Sequence, residues 1–210
     1  MLAAELLGRM ALERRDFSLA LYWFRVTIER FGANYHHPWR DLVIAAHHAA
    51  QDAIFDEFIQ LILQNTPPYN PATPREGIWE RADIQFHLAE NRMARSRFGE
   101  ALEHNDTAFS LHRQLERSDD NLPVLWGQRA GILQALEQYD EAEHCWDRAL
   151  LGHEKQGNRG GVAECYQELG KLLSQKGSPG LGGSLVRQAI AIFEEVGNSG
   201  AVAATQGDTR

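Results

Sequence analysis

Histidine, cysteine and carboxylate side chains are the residues of this sequence that could do chemistry, as metal ligands or as nucleophiles. Two histidine pairs are adjacent in sequence, His36–His37 and His47–His48, and His144 precedes Cys145. Neighbouring residues on a helix diverge by about 100°, so an adjacent pair cannot easily chelate one ion. Glu141 and His144 have the i, i+3 spacing of di-iron bundles, but the sequence supplies no convincing second motif. We therefore predict no metal site and no cofactor.

Nucleophilic catalysis has as little support. Cys145 and Cys165 each lie on a predicted helix, where a buried thiol is inert unless its pKa is depressed. The sequence contains no Gly-x-Ser-x-Gly motif and no phosphate loop that ends in Gly-Lys-Ser/Thr. Because the glycines of Gly177–Gly183 lack both a preceding strand and a following lysine, we interpret them as a turn. The protein is predicted not to be an enzyme.

Composition and charge limit the classes of partner. The chain has 210 residues, of which 43% are hydrophobic and 24% are charged, and this is ordinary for a globular protein. Its net charge of −8 argues against sequence-independent binding to nucleic acid or to an anionic membrane. No apolar run approaches the roughly 20 residues that span a bilayer, and the N-terminal residues do not form a secretory signal. Two cysteines suit a reducing compartment, so we expect a cytoplasmic location.

The elements that must position these residues are revealed by pairs of small residues that lie twelve positions apart. Three such pairs recur at a period of 40 to 41 residues, and a fourth lies two periods upstream of them. The pairs are Gly8 and Ala20, Ala89 and Ala101, Ala130 and Ala142, and Gly170 and Gly182. Self-similarity at this spacing predicts an array of helical repeats, and such arrays usually bind other proteins.

The residues around these pairs resemble tetratricopeptide repeats. The resemblance is carried by runs such as Tyr139–Ala142, Arg148–Leu150 and Gln188–Ile190. The period is longer than the usual 34 residues, as in bacterial regulatory members of this superfamily, and Asn105 stands where an aromatic residue is expected. The resemblance implies an all-α fold, namely an α-solenoid of about five antiparallel helix pairs that form a right-handed superhelix.

The predicted organisation is a single repeat domain over residues 1–198. We expect repeats at roughly 1–34, 35–68, 78–118, 122–157 and 160–198, the second of them assigned by spacing alone. Four prolines within residues 66–77 stop helices, so this segment is predicted to be a loop that either links two halves or lines a groove. Residues 199–210 are predicted to form a flexible tail.

The resemblance also implies that the first helix of each pair lines a concave groove. The candidates for this lining are Glu5, Arg9, Glu13, Asp83, Phe86, Glu90, Met93, Gln128, Gln134, Glu164, Gln167, Lys171 and Gln175. Most of them are acidic or amide side chains, so a clamp for a C-terminal carboxylate is not expected and a basic or polar segment fits better. Trp126 lies beside Gly127 and Gly131, which indicate either close helix packing or room for a ligand backbone.

The leading hypothesis is a non-enzymatic module that binds a peptide or protein segment in this groove, as an adaptor, assembly factor or sensor arm. The alternative is a regulatory or sensor domain of a larger signalling or transcription protein, and a metal-dependent helical enzyme is the third class. Self-association is a further possibility, because an array without a polar cap exposes an apolar end. The apolar residues concerned are Leu2, Leu6 and Leu7 in the first helix, and Ile190, Ile192 and Phe193 in the last.

Overall fold

The computed structural model describes residues 3–31, 75–115 and 122–207, and within these ranges the chain forms nine α-helices and no strand. The helices are α1 (Ala3–Glu13), α2 (Phe17–Phe31), α3 (Arg75–Ala94), α4 (Phe98–Gln114), α5 (Pro123–Ala135), α6 (Tyr139–Lys155), α7 (Arg159–Gln175), α8 (Pro179–Glu195) and α9 (Ser199–Gly207). The predicted all-α fold is confirmed. The second predicted repeat, residues 35–68, and the predicted loop up to residue 74 lie outside the described residues. Among the described helices, none combines the length and the apolar character that a bilayer span requires.

The chain divides into two compact units, residues 1–91 and 92–210, and the boundary falls inside α3. In the first unit, α1 and α2 form a helical hairpin around the predicted small pair. Gly8 faces Phe24 so closely that a Cβ atom at Gly8 would lie 2.8 Å from Phe24 Cε1. Ala20 and Phe24 have no exposed surface. The small residues therefore allow the two helices to approach each other, as the pattern predicts.

In the second unit, turns of three residues join each helix from α5 to α9 to the next, and successive helices pack antiparallel. Two hydrophobic clusters fill the space between them. The first contains Ala130, Leu133, Ala142, Cys145, Leu169 and Leu172 and joins α5, α6 and α7. The second contains Val162, Ala163, Ala189, Ile192 and Phe193 and joins α7 to α8, with α9 packed against it. Each helix pair thus shares its core with the next pair, which is how a solenoid is stabilised.

Two helices of the second unit approach each other closely at Gly170 on α7 and Gly182 on α8. A Cβ atom at Gly170 would lie 2.7 Å from the Gly182 carbonyl oxygen and 2.7 Å from Val186 Cγ2. A Cβ atom at Gly182 would in turn collide with the Gly170 carbonyl oxygen and with Ser174 Oγ. Both positions are buried. This crossing therefore requires glycine on both helices.

The turns between the two helices of a pair share one backbone conformation. In the turns that end α1, α3, α5 and α7, the residue with positive φ is Arg15 (57°), Ser96 (57°), Glu137 (61°) and Gly177 (85°) respectively. The last three of these are 41 and 40 residues apart. In each turn the next amide bonds to a carbonyl five residues earlier, for example Gln138 N–H to Leu133 O at 2.9 Å. These bonds satisfy the last carbonyls of the helix and reverse the chain.

The C-terminal segment differs from the sequence prediction. Residues 199–207, predicted to be part of a flexible tail, form α9. The helix begins where the Ala201 amide donates to the side chain of Asn198 at 3.1 Å, a favoured N-terminal cap. Ala201 and Val202 of α9 pack against Ile192 and Phe193, which are buried. The prediction that these two residues form an exposed apolar end is therefore wrong.

Two helix boundaries also differ from the prediction. The glycines of Gly177–Gly183 were predicted to form a turn, but α8 begins at Pro179 and includes all of them except Gly177. The proline-rich loop was expected to extend to residue 77, but α3 begins at Arg75, directly after Pro74. Proline is tolerated at the start of a helix because the first backbone N–H groups there have no acceptor within the helix, so nothing is lost when proline lacks one.

Candidate functional site

Polar side chains connect successive first helices of the second unit. Gln134 Nε2 on α5 donates to Gln175 Oε1 on α7 at 2.9 Å, and these residues are 41 positions apart. Thr205 Oγ1 on α9 lies 3.0 Å from Gln167 Oε1 on α7 and 2.8 Å from the Ala201 carbonyl oxygen, so two acceptors share its single proton. Gln167, Lys171 and Gln175 are four residues apart and so lie in a stripe along one side of α7. We call Gln134, Gln167, Lys171, Gln175 and Thr205 the first-helix face.

A pocket of about 610 Å³ opens beside this face, between α7, α8 and α9. Its lining residues come from all three helices: Gln167, Gly170, Lys171 and Ser174 from α7, Pro179, Gly183, Val186, Arg187 and Ile190 from α8, and Thr205 from α9. The α7 to α8 approach places glycines where larger side chains would fill this space. Of the small pair that defines this repeat, Gly170 lines the pocket and Gly182 does not.

The charged groups of the pocket are cationic. Lys171 and Arg187 line it, and no Asp or Glu of the described chain does. Lys171 Nζ lies 2.9 Å from Glu168 Oε1, and both side chains of this pair are about one-third exposed, at 35% and 33%. Glu164, one turn before Glu168, has its pKa raised by partial burial and by repulsion from Glu168. Among the groove candidates of α7, the pocket thus contains Gln167 and Lys171 but not the acidic Glu164.

The groove candidates of α1 are not equivalent to one another. Glu5 is buried, with 3% of its surface exposed, and its carboxylate lies 3.1 Å from Arg9 Nη2. Glu13 is exposed near the end of the helix. Because burial removes Glu5 from solvent, the prediction that it lines an accessible groove is wrong, and its role is to pair with Arg9 inside the unit.

The candidates of α3 in the first unit surround a histidine. Glu90 Oε2 lies 2.8 Å from His87 Nδ1, and Asp83 Oδ1 lies 3.9 Å from His87 Nε2. The Phe86 ring meets the His87 ring edge to face, with centroids 5.3 Å apart. The structure therefore brings Asp83, Phe86 and Glu90 together around a residue that the sequence analysis did not select.

Two further candidates, Gln128 and Met93, lie in the second unit, where Gln128 is buried and Met93 is partly exposed. Gln128 is buried, and its side-chain oxygen accepts from Asn105 Nδ2 at 3.0 Å. Asn105, which has no exposed surface, also donates to the Leu125 carbonyl at 3.2 Å. An amide replaces the expected aromatic residue here because it satisfies these two buried acceptors. Gln128 is thus a structural partner, and its prediction as a groove residue is wrong.

Gly127 and Gly131 of α5 allow close packing. A Cβ atom at Gly127 would lie 3.2 Å from Trp146 Cζ3, and one at Gly131 would lie 3.2 Å from Met93 Cε. Side chains of the same unit therefore occupy the space that could have accepted a ligand backbone. The interpretation as close helix packing agrees with this geometry.

The segment that forms most of these helix pairs is similar in sequence to a known repeat family. Residues 121–195 match the family model described as tetratricopeptide repeat. This segment is a tetratricopeptide-repeat array. The resemblance predicted from the sequence is confirmed. No curated protein sequence matches the chain.

Solved structures of tetratricopeptide-like proteins share the fold at low sequence identity. MamA is 11% identical with a TM-score of 0.62, and the alignment covers 93% of each chain. A Rap protein, in complex with Competence and Sporulation Factor, is 16% identical with a TM-score of 0.67, and the alignment covers 90% of this chain. Cut9 in the Cut9–Hcn1 hetero-tetramer is 15% identical with a TM-score of 0.66 over 94% of this chain. This chain spans 52% of the Rap chain and 35% of the Cut9–Hcn1 chain.

Two residues that line the pocket, Arg187 and Thr205, are absent from the groove candidates predicted from the sequence. Arg187 lies on a second helix, whereas the family mapping considered first helices alone. Thr205 lies on α9, which had been predicted to be a tail. Asn198 is the signal that could have found α9, because Asn before a short Ala-rich run is typical of a helix start.

The two cysteine thiols of this array are buried. Burial raises the pKa of the Cys145 thiol, and burial together with nearby glutamates raises that of Cys165 to about 12. Both thiols are therefore protonated near neutral pH, the unreactive form. Within the described ranges, no group of three or more His, Cys, Asp or Glu side chains could hold a metal ion.

Proposed function

We propose that this tetratricopeptide-type array is a non-enzymatic interaction module that binds a peptide or a segment of another protein along its first-helix face. The observation that carries the proposal is the pocket of about 610 Å³ beside that face. Its volume falls within the range of roughly 300–1,000 Å³ that is usual for ligand sites. Its lining combines an apolar wall, Val186 and Ile190, with a few polar groups, as such sites do.

The dimensions of the first-helix face suit an extended segment. From Gln167 to Gln175 the helix rises about 12 Å, since each residue adds about 1.5 Å. Three or four residues of extended chain have the same length. Glutamine side chains can both donate to and accept from a peptide backbone, so they can hold such a segment with little dependence on its sequence.

Complexes of similar folds support this proposal by analogy. The Rap protein was solved with Competence and Sporulation Factor, and Cut9 was solved with Hcn1. The present chain would act in the same general way, as an adaptor, assembly factor or sensor arm. Because fold similarity alone does not fix function, the analogy supports partner binding and leaves the partner to experiment.

The proposal is tested by site-specific photo-crosslinking in cells of the native source. A benzophenone amino acid replaces Gln175 on the first-helix face, and the control places it at Glu194, which is exposed on α8. We expect protein adducts after irradiation from position 175 and not from position 194. Adducts of equal yield at both positions, or at position 194 alone, would contradict binding at the first-helix face.

A second proposal, a regulatory or sensor domain of a larger protein, is favoured by one observation. The alignment with the Rap protein covers 90% of this chain but only 52% of that chain, so similar arrays occur within longer proteins. An antibody blot of native extract tests it, since a product well above 23.7 kDa would support the domain and a product of that mass would contradict it. Fractionation of the same extract tests the cytoplasmic location that we also propose.

A further inference from the structure

We propose that the pocket between α7, α8 and α9 is the docking site for α1 of a second copy of this chain, which inserts Leu7 and Met10. The inference rests on the proposed function, because it names the segment that occupies the pocket beside the first-helix face. It is carried by a contact inside the second unit, where α7 fills the equivalent place on the preceding helix pair, α5 and α6.

The contact between α7 and the preceding pair is the template for this docking. Leu169 and Leu172 of α7 are buried in one cluster with residues of α5 and α6. Tyr139, Trp146 and Leu150 of α6 pack around the same cluster. The second half of a first helix thus contributes two apolar side chains, three positions apart, to the core that it shares with the preceding pair.

The pocket lies at the same place one repeat later. Four of its lining residues each follow a member or neighbour of that cluster by forty positions: Gly170 follows Ala130, Pro179 follows Tyr139, Val186 follows Trp146 and Ile190 follows Leu150. Helix α9 covers only part of this place, because it ends at Gly207. Gly207 corresponds to Gln167, which precedes both leucines of α7. The pocket of about 610 Å³ is therefore the part of the place that α9 leaves open.

The matching apolar pair is present on α1. Leu7 lies 162 positions before Leu169, the same distance that separates the small residues of the two helices. Met10 corresponds to Leu172 in the same register. Leu7 and Met10 are each 39% exposed, whereas their two counterparts on α7 are buried. The counterpart of Met10 on α5, Ile132, also has no exposed surface. Side chains that are covered in later repeats are thus open to solvent on α1.

The lengths of α9 and α1 complement each other. Helix α7 covers residues 159–175, and in the repeat register α9 corresponds to 159–167 and α1 to 165–175. A docked α1 therefore supplies the second half of a first helix of which α9 is the first half. The two overlap by the three positions 165–167, so one helix end must unwind by about a turn. This cost, and the small area of an 11-residue helix, predict a weak association.

The charges are compatible with this docking. Lys171 and Arg187 are the charged residues that line the pocket. The one basic residue of α1, Arg9, already lies 3.1 Å from the carboxylate of Glu5. Glu13 is exposed at the end of α1. The docked helix therefore brings a paired cation and one exposed carboxylate towards two cations, which favours the contact.

Sedimentation velocity on the full chain tests the inference. We expect the weight-average sedimentation coefficient to rise as the protein concentration increases from about 5 to about 500 μM, because a weak contact between copies follows mass action. The rise should persist in about 0.5 M NaCl, since salt screens charges and not apolar contacts. A chain that stays monomeric over the whole range overturns the inference.

Variants on each side of the contact locate it. The α1 variant, Leu7→Gln with Met10→Gln, removes the apolar pair and keeps good helix formers. The pocket variant, Gly183→Glu, places a side chain in the pocket, and its Cβ atom would meet only Arg187 Nη1 at an ordinary 3.5 Å. We expect each variant to weaken self-association at least about tenfold, because apolar burial is lost or blocked.

The matched controls carry the same substitutions outside the contact. Leu19→Gln replaces an exposed leucine on α2, and Gly180→Glu adds a side chain on α8 where a Cβ atom would meet nothing within 4 Å. Both controls should associate as the parent does. Circular dichroism spectra that match the parent protein establish that the variants fold. Equal association of the control and the matched variant, on either side, contradicts the docking.

Mixing the two variants tests the head-to-tail arrangement. The α1 variant keeps its pocket, and the pocket variant keeps its α1. At a concentration where the parent associates, we expect each variant alone to be monomeric and an equimolar mixture to form a one-to-one dimer. A dimer of the pocket variant alone would show that α1 contacts another α1, and a mixture without dimer would show that the pocket does not accept α1. Either result overturns the inference.

Failure of the inference is distinguishable from failure of the proposed function. If the parent stays monomeric while crosslinks from position 175 join it to other proteins, the proposed function survives and only the assignment of the pocket to α1 is wrong. If the parent stays monomeric and position 175 gives no crosslink, both fail. Crosslinks from position 175 to a second copy that disappear in the α1 variant support both.

Discussion

Replacing Gly182 with alanine should destabilise the second unit, although alanine is the better helix former. The added methyl group would collide with the Gly170 carbonyl oxygen on α7 and with Ser174 Oγ. The carbonyl belongs to the backbone of the neighbouring helix, so the collision is relieved only if α7 and α8 move apart. That movement would disturb the packing of buried Val186 against Gly170.

The expected magnitude follows from two opposing effects. Overpacking a well-packed site costs about 1–3 kcal/mol, and replacing a helical glycine by alanine returns about 1 kcal/mol. Because the obstacle is backbone, we place the packing cost in the upper half of its range, and we expect a net loss of about 1–2 kcal/mol. Gly183→Ala is the matched control, since its Cβ atom would meet only Arg187 Nη1 at an ordinary 3.5 Å. That variant should gain up to about 1 kcal/mol.

Urea unfolding followed by circular dichroism at 222 nm measures both variants against the parent protein. Equal stability of Gly182→Ala and Gly183→Ala would refute the helix crossing that we describe. The double variant Gly182→Ala with Ser174→Ala tests the source of the cost. Full recovery of stability in the double variant would assign the cost to the Ser174 hydroxyl and contradict the role of the Gly170 backbone.

Three further predictions concern buried polar groups and thiols. Asn105→Ala should lower the free energy of unfolding by about 2–3 kcal/mol in urea titrations, because it removes the buried hydrogen bonds from Asn105 to the Gln128 side-chain oxygen and to the Leu125 carbonyl; equal stability would contradict this network. Burial lowers the pKa of His153 from 6.5, and the neutral ring accepts a hydrogen bond from Asn158. The contribution of His153 to the free energy of unfolding should therefore be fully present above pH 6.5 and be lost as the pH falls below it. His153→Gln should flatten this fall, and an unchanged pH profile in that variant would argue against His153. The buried Cys165 should react with a disulfide reagent at pH 8 far more slowly in the native protein than in 8 M urea, as followed by absorbance; similar rates would show that it is accessible.

The helix pairs were predictable from local patterns. Small residues twelve positions apart identify a hairpin because the contact they make lies between consecutive helices of known period. Gly170 with Gly182 forms the predicted close approach, and Ala130 and Ala142 are fully buried. The sequence alone is therefore enough to predict the helix pairs, because a single contact between consecutive helices is repeated along the chain.

The candidate site was less predictable, because solvent exposure depends on neighbouring helices. A family register places Glu5 and Gln128 on first helices but does not show that each is covered by other parts of its unit. The register also omits Arg187, since the family resemblance implies that only first helices line the groove. Asn105 was visible as an exception in the sequence, but its partners lie 20 and 23 residues away and emerge only from the packed structure.

The left-handed turns make stability and recognition separable properties of this protein. Three of these turns place Arg15, Ser96 and Glu137, none of them glycine, at φ values of 57° to 61°, a conformation that costs an ordinary residue roughly 1 kcal/mol or more. None of the three lines the pocket or belongs to the first-helix face. Glycine at these turns would relieve the strain while leaving every residue of the pocket and of the first-helix face in place. A protein engineer, or natural selection, could thus raise the thermal tolerance of the array without changing any residue of the proposed binding face.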